Sequence, residues 1–210
     1  MSKIEEVATL VENGKRKLVP AAVQEALDEG NAPIDILNAM IGAMDIVGDK
    51  FKRNEIFVPE MLIAAKAMKA GVDVLKPLLA SDAGANLGTV IIGTVAGDLH
   101  DIGKNLVAMM IESAGFTVID LGVDVPDERF VEAVTENENV KIVAVSALLT
   151  TTMPAMKSAV TALNNAPFRK DIKIMVGGAP ITQEFSDEIG ADCYTVDAAS
   201  AAQAAKALVA

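Results

Sequence analysis

The 210-residue chain has no tryptophan, one tyrosine, one histidine and one cysteine, and aromatic residues make up only 3% of it. A lone cysteine, Cys193, rules out an internal disulfide framework, and a reducing cytoplasm is the expected compartment. With one histidine and no cysteine cluster, the chain offers no zinc site of the usual kind. Positive charge is also scarce. The formal net charge is −11 and the lysines and arginines are scattered, so no basic patch is available for a phosphate backbone and nucleic acid is not an expected partner. No uncharged apolar run reaches the length of a membrane span, and Met1-Ser2-Lys3-Ile4-Glu5-Glu6 lacks signal-peptide character, so no membrane association is expected. What the chain does have is a hydrophobic fraction of 51% built from Ala, Val, Ile, Leu and Met, enough for a substantial core without rings. The ten methionines read as gap-filling core residues. Cys193, within Asp192-Cys193-Tyr194, reads as a small residue of a short buried strand.

Two halves follow different periodicities. Residues 1–80 read as helices. Ile4, Val7, Leu10 and Val11 recur at helical spacing, as do Val19, Val23, Ala26 and Leu27, before Gly30-Asn31 ends that run. Ile34, Leu37, Ile41, Met44 and Val47 mark a third helix. A fourth opens at Pro59 and Glu60, with Met61, Leu62, Ala65, Met68, Val72 and Leu75 along one face. Four helices with short joints predict a small bundle. Residues 81–88 are small, polar and glycine-containing, and read as a linker. Residues 89–210 then alternate strands (near 89–95, 116–121, 141–146, 172–176 and 192–195) with helices (near 103–114, 127–138, 153–164, 181–189 and 198–208). The strands lack polar alternation. The expected architecture is therefore α/β, an N-terminal helical bundle followed by a five-stranded, doubly wound parallel sheet of flavodoxin-like order covered on both faces. Its ligand should sit at the C-terminal edge of the strands.

Chemistry concentrates at that edge. The only histidine lies in Gly97-Asp98-Leu99-His100-Asp101-Ile102-Gly103, directly after the first strand. A histidine placed there, two residues after an aspartate, can offer one ring nitrogen outward while the carboxylate holds the other, as metal-ligating histidines do. Ser146 ends the third strand and Gly177-Gly178 follows the fourth. Strands one, three and four are neighbours in a doubly wound sheet, so these residues should converge. The bland alternative is a structural histidine beside an N-capping aspartate. The flanking Gly97 and Gly103 and the two distant blocks weigh against it. Gly177 and Gly178, lacking Cβ atoms, let a ligand lie against backbone.

Asp-x-His-x-x-Gly, then Ser146-Ala147-Leu148, then Gly177-Gly178, resembles the cobalamin-binding module of methionine synthase. It resembles more closely the stand-alone corrinoid proteins of methylamine, methanol and aryl methyl ether methyltransferase systems in methanogens and acetogens. The resemblance spans about Ile4 to Leu208. It implies that cobalamin or a related corrinoid binds with its nucleotide tail beside the sheet. His100 would be the lower cobalt ligand and Asp98 its hydrogen-bond acceptor, with Gly97, Leu99, Asp101 and Gly103 of the same block against the cofactor. Thr152 matches the hydroxyl that extends the Asp–His relay, with Thr151 as an alternative. Ser146, Leu148, Thr150, Gly177, Gly178 and Ala198 match positions around the corrin or its tail. The helical half resembles a cap over the methyl-bearing face, with Phe57 shielding the metal; by residues alone Phe57 also reads as a hydrophobic staple.

The same resemblance implies a methyl carrier, with methylcobalamin as its charged state. It would be served by a substrate-specific methyltransferase, a second corrinoid-dependent methyltransferase acting on a thiol or tetrahydrofolate, and a reductive activation protein. A small subunit of an adenosylcobalamin-dependent mutase shares the histidine block but lacks such a cap. A cobalamin-dependent sensor would need an output module. A phospho-receiver domain would need an acidic pocket after the first strand and leaves His100 unexplained.

Overall fold

The computed structural model describes residues 2–79 and 87–210. Of the linker expected over 81–88, residues 81–86 lie outside the described residues. The chain divides into a helical unit and an α/β unit, the latter drawn from Leu87–Glu112 and Phe116–Ala210.

Among its described residues the helical unit holds four helices, α1 (Lys3–Glu12), α2 (Val19–Asp28), α3 (Pro33–Lys52) and α4 (Val58–Leu79). Each starts where local chemistry permits. Ser2 caps α1 by accepting from the Glu5 N–H, while the Glu5 side chain accepts from the Ser2 N–H. Proline stands in the first turn of α2 and of α3, where its missing N–H is no loss. Of the apolar positions read from the sequence, Val7, Val11, Val19, Val23, Leu37, Met44, Val47, Met61, Met68 and Leu75 are buried, while Ile34, Ile41, Leu62 and Val72 are only half-buried and the unread Ile36 and Met40 take core places beside them. Methionine supplies much of this interior, as a core without large rings requires.

The α/β unit runs β1 (Thr89–Thr94), α5 (Ile102–Ser113), β2 (Thr117–Asp120), α6 (Asp127–Glu136), β3 (Val140–Ser146), α7 (Met153–Asn164), β4 (Lys173–Gly177), α8 (Gln183–Ile189), β5 (Cys193–Tyr194) and α9 (Ala198–Val209). Short 3-10 turns precede α7 (Thr150–Thr152) and β4 (Arg169–Asp171). All pairings are parallel and the strand order is β2-β1-β3-β4-β5, the doubly wound arrangement expected. Thr94 pairs with Ser146 and Ser146 with Gly177, so the C-terminal ends of β1, β3 and β4 stand side by side. Ile91, Val143, Val145, Ile174 and Val176 meet Phe130, Met156, Val160 and Leu163 in one core.

Two expectations need correction. Coverage on both faces holds for β1 and most of β3, but β2 is an edge strand whose Thr117 and Asp120 are exposed. Cys193 is half-buried, because β5 is a two-residue edge strand. Burial, then the neighbouring Asp192 carboxylate, pushes its thiol pKa up, which keeps it protonated and unreactive.

The sheet edge opposite the strand C-termini carries its own clamp. Arg169 donates to the Asn164 side chain, to the Ile172 carbonyl (3.1 Å) and to Asp192 (2.9 Å). Asp192 also accepts from the Ile174 N–H at 2.7 Å. Arg169→Ala should lower unfolding stability by about 1–2 kcal/mol, the size of a partly exposed charge-assisted network. It should leave the spectrum of bound corrinoid unchanged, since it acts at the far end of the strands. Urea unfolding and an absorption spectrum check both halves of that statement.

Candidate functional site

The loop between β1 and α5 begins as a tight turn, closed by the Asp98 N–H on the Val95 carbonyl at 3.1 Å. Gly97 occupies its left-handed position, φ 80°, where a side chain would be strained. The turn drives the Asp98 side chain inward, and Asp98 is fully buried.

A buried carboxylate needs donors on both oxygens, and here it has them. Oδ1 accepts from the His100 backbone N–H at 3.1 Å and lies 2.7 Å from His100 Nδ1. Oδ2 accepts from the Leu148 N–H at 2.7 Å, from the Thr152 hydroxyl at 2.8 Å and, more weakly, from the Leu149 N–H at 3.4 Å. Burial by itself pushes the Asp98 pKa up. The Leu148 N–H, the His100 ring and backbone and the Thr152 hydroxyl together outweigh it and hold the carboxyl well below the usual carboxylate range. An ionised carboxylate cannot donate, so Nδ1 must carry the proton of that bond. In the neutral ring, Nε2 is then left with its lone pair. The His100 side chain is half exposed, and Nε2 has no hydrogen-bond partner among the described residues.

The Thr94 hydroxyl, buried at the end of β1, donates to the His100 carbonyl at 2.9 Å. The Thr150–Thr152 turn, closed by the Thr152 N–H on the Leu149 carbonyl, chooses among the three threonines: Thr152 is buried against Asp98, while Thr150 and Thr151 are exposed. Thr152 makes no side-chain cap for α7. Its single proton faces two acceptors, Asp98 Oδ2 and the Leu149 carbonyl (2.9 Å), of which the carboxylate is the stronger.

The other expected residues are placed as follows. Ser146 ends β3, and its carbonyl accepts from the Val95 N–H at 3.0 Å. Gly177 ends β4, and its carbonyl accepts from Ala147. Gly178 has φ 135°, and a Cβ there would lie 1.8 Å from the Ala147 carbonyl oxygen. Leu99 is 72% exposed and Leu148 is exposed. Gly103 opens onto empty space, with nothing within 4 Å of a built Cβ. Asp101 precedes α5: its carbonyl accepts from the Asn105 N–H at 2.7 Å, its carboxylate accepts from the Asn105 side-chain amide at 3.1 Å, and it makes no bond to His100. Ala198 is a buried methyl at the start of α9, where the cap is Asp197. Phe57, in the helical unit, is 64% exposed, and its N–H donates to Glu60 at 3.1 Å. An exposed ring is not a packed staple. Missed from sequence were Thr94, Asp124 and the apolar side chains Ile102 (85% exposed), Leu149 and Val196. They lie in or beside the loops that follow β1, β2, β3 and β5.

This edge fits a flat, largely apolar macrocycle with a central metal. It offers one imidazole nitrogen with a free lone pair, set among exposed aliphatic side chains and bare glycine backbone, and grouped acidic metal ligands are absent among the described residues. No described helix is long and apolar enough to cross a membrane.

Comparison with known proteins agrees. The B12 binding domain family matches residues 88–206, and a second family of the same description matches residues 3–76. The chain is 42% identical over 208 residues to dimethylamine corrinoid protein 1 of Methanosarcina acetivorans, covering 99% of this chain and 97% of the relative. It is 44% identical over 196 residues to trimethylamine corrinoid protein 2 of the same organism, covering 92% and 90%. The solved structure of a cobalamin-binding protein from Desulfitobacterium hafniense superposes with a TM-score of 0.83 at 31% identity, covering 99% of this chain and 98% of that one. A chain of the methanol:cobalamin methyltransferase complex of Methanosarcina barkeri gives 0.83 at 32%, covering 99% and 79%. Sheet order, histidine block and relatives converge, and the chain belongs to the stand-alone, B12-binding corrinoid proteins of methyltransferase systems.

Proposed function

We propose that this chain carries a methyl group on a bound corrinoid between two methyltransferases, and that His100 ligates the corrinoid's cobalt through Nε2. The observation that carries the ligand assignment is the Asp98 carboxylate. With donors on both oxygens it fixes the imidazole with Nδ1 protonated and Nε2 free. When bound, the corrinoid supplies the metal atom that accepts and releases the methyl group. Everything else is work for the protein. Asp98 holds the Nδ1 proton and raises the basicity of Nε2, and the Thr152 hydroxyl fixes the carboxylate from its other oxygen. Leu99, Ile102, Leu148, Leu149 and Val196 offer apolar contact area. Gly97, Gly103, Gly177 and Gly178 leave room for a close approach, with Asp101, Ser146, Thr150 and Ala198 around them.

The methyl donor is a methylamine held by its own methyltransferase, a reading supported by relatives named for dimethylamine and trimethylamine. The acceptor enzyme passes the methyl group to a thiol or to tetrahydrofolate, and a reductive activation protein restores the metal after adventitious oxidation. The division into a cap over 1–80, a linker over 81–88 and a corrinoid-binding domain over 89–210 belongs to the same proposal. So does the use of Phe57 as the ring that shields the reactive face.

The single histidine permits a clean test. Protein labelled with 15N-histidine, loaded with cobalamin and reduced by one electron, should show cobalt EPR lines split into doublets by one coupled 15N. His100→Ala should show no doublet. Triplet splitting from unlabelled nitrogen in the labelled wild type would remove His100 from the metal.

A further inference from the structure

The loop between β2 and α6 grips the histidine turn at several points. The Val125 N–H donates to the Thr94 carbonyl (2.9 Å) and the Thr94 N–H to the Gly122 carbonyl (3.0 Å), and a bridge pairs Val95 with Val125. Between them stands Asp124, in the left-handed conformation at φ 53°, which is uncommon for a residue with a side chain. Both ends of Asp124 are used. Its N–H donates to the Asp98 carbonyl at 3.0 Å, and its Oδ1 accepts from the Gly97 N–H at 2.7 Å. These are the two residues that turn the chain into His100. Asp124 itself is exposed, so it contributes little to the core, and the strain of its backbone is retained for something local.

We propose that Asp124 is a positioning residue for His100: by bonding the Gly97 N–H and the Asp98 carbonyl together, it holds the turn that aims the Asp98 carboxylate at Nδ1. The proposal rests on the assignment of His100 as the metal ligand. Its geometry, however, belongs to the cofactor-free protein and can be tested there. If the turn is released, Gly97 is free to swing and the Asp98 carbonyl loses its donor. The 2.7 Å contact between Oδ1 and Nδ1 then keeps only the anchors on the carboxylate itself, from Leu148 and Thr152, and loses the backbone's hold on its angle.

Two variants separate the hydrogen bond from the backbone strain. Asp124→Gly keeps the left-handed conformation accessible and removes the acceptor. Asp124→Asn keeps both, because an amide oxygen accepts from Gly97 and asparagine tolerates positive φ. In cofactor-free protein labelled with 15N-histidine, the spectrum reports the one imidazole directly. Wild type should show the Nδ1–H form. At one fixed, mildly alkaline pH, Asp124→Gly should raise the share of Nε2–H about three- to tenfold, the effect of losing one hydrogen bond. Asp124→Asn should restore most of the wild-type spectrum. After loading with cobalamin and one-electron reduction, the 15N doublet should weaken in Asp124→Gly and persist in Asp124→Asn. An Asp124→Gly protein with the wild-type imidazole spectrum overturns the proposal. If the doublet is absent even in wild type, the ligand assignment fails instead, and the cofactor-free spectra still decide whether Asp124 positions the ring.

Discussion

Asp98→Ala should destabilise the cofactor-free protein by about 2–4 kcal/mol and weaken corrinoid binding by about 10–100-fold. The carboxylate is fully buried and receives the Leu148 N–H, the Thr152 hydroxyl and both donors of His100. Truncation leaves several of these facing a void, and each unpaired donor away from water costs about 1–3 kcal/mol. Entry of water from the half-exposed histidine side offsets part of that. Asp98→Asn is the sharper variant. An amide offers one acceptor and one donor, whereas both oxygens of Asp98 face donors. If the NH2 group faces Leu148 and Thr152, donor meets donor. If it faces His100, Nδ1 must accept, the proton moves to Nε2, and the nitrogen assigned to the metal loses its lone pair. Either way the site fails, although shape and volume are kept. The acid dependence follows from the lowered pKa. A carboxyl held below its unfolded value of about 3.9 contributes stability that is complete at neutral pH and is lost as pH falls through the folded value. Urea midpoints of wild type and Asp98→Asn should therefore converge on acidification below about pH 4, wild type losing more.

The sequence made this arrangement legible to different depths. The doubly wound sheet followed from five strand-like runs without polar alternation, because central parallel strands are apolar on both sides. That reasoning broke down at β2 and β5. The flavodoxin-like order already places both at the sheet edges, but their apolar composition reads like that of the central strands, so the exposure of Asp120 and the half-burial of Cys193 were missed. Asp98 and His100 stood out as polar residues directly after an apolar strand. Thr152 was preferred over Thr151 only through the family resemblance, since by residue type three consecutive threonines look alike until the 3-10 turn rotates one inward. Thr94 was hidden for the opposite reason: a threonine inside a β-branched run reads as a strand former, and its hydroxyl bond to the His100 carbonyl has no local signature. Asp124 was missed because a left-handed aspartate is set by what it grips, twenty-seven residues away in the chain. The burden of orienting the imidazole thus falls largely on residues that composition and spacing do not mark.

Gly178→Ala and Gly103→Ala, the same substitution at two glycines of the site, should have opposite consequences. At Gly178 a Cβ would lie 1.8 Å from the Ala147 carbonyl oxygen and 2.8 Å from its carbon, and φ is 135°. The obstacle is the backbone just after β3, which cannot rotate away as a side chain could, and that φ lies where only glycine is comfortable. The β4–α8 turn must therefore shift away from Ala147. Such a shift disturbs the Ala147 N–H bond to Gly177, and Leu148, next in the chain, supplies the strongest N–H bond to Asp98. Backbone strain and forced displacement together should cost about 3–5 kcal/mol, read as a lowered urea midpoint before any cofactor is added. At Gly103 the built Cβ meets nothing within 4 Å, and the residue lies in the first turn of α5. Alanine is the better helix former, so the cofactor-free protein should be unchanged or gain up to about 1 kcal/mol. If the corrinoid occupies that open space, the added methyl intrudes on it, and Gly103→Ala should bind cobalamin more weakly while unfolding no more easily than wild type. A Gly103→Ala protein of undiminished affinity would move the ring away from the start of α5. An undisturbed Gly178→Ala protein would mean that the Ala147 carbonyl yields more readily than a paired strand end should.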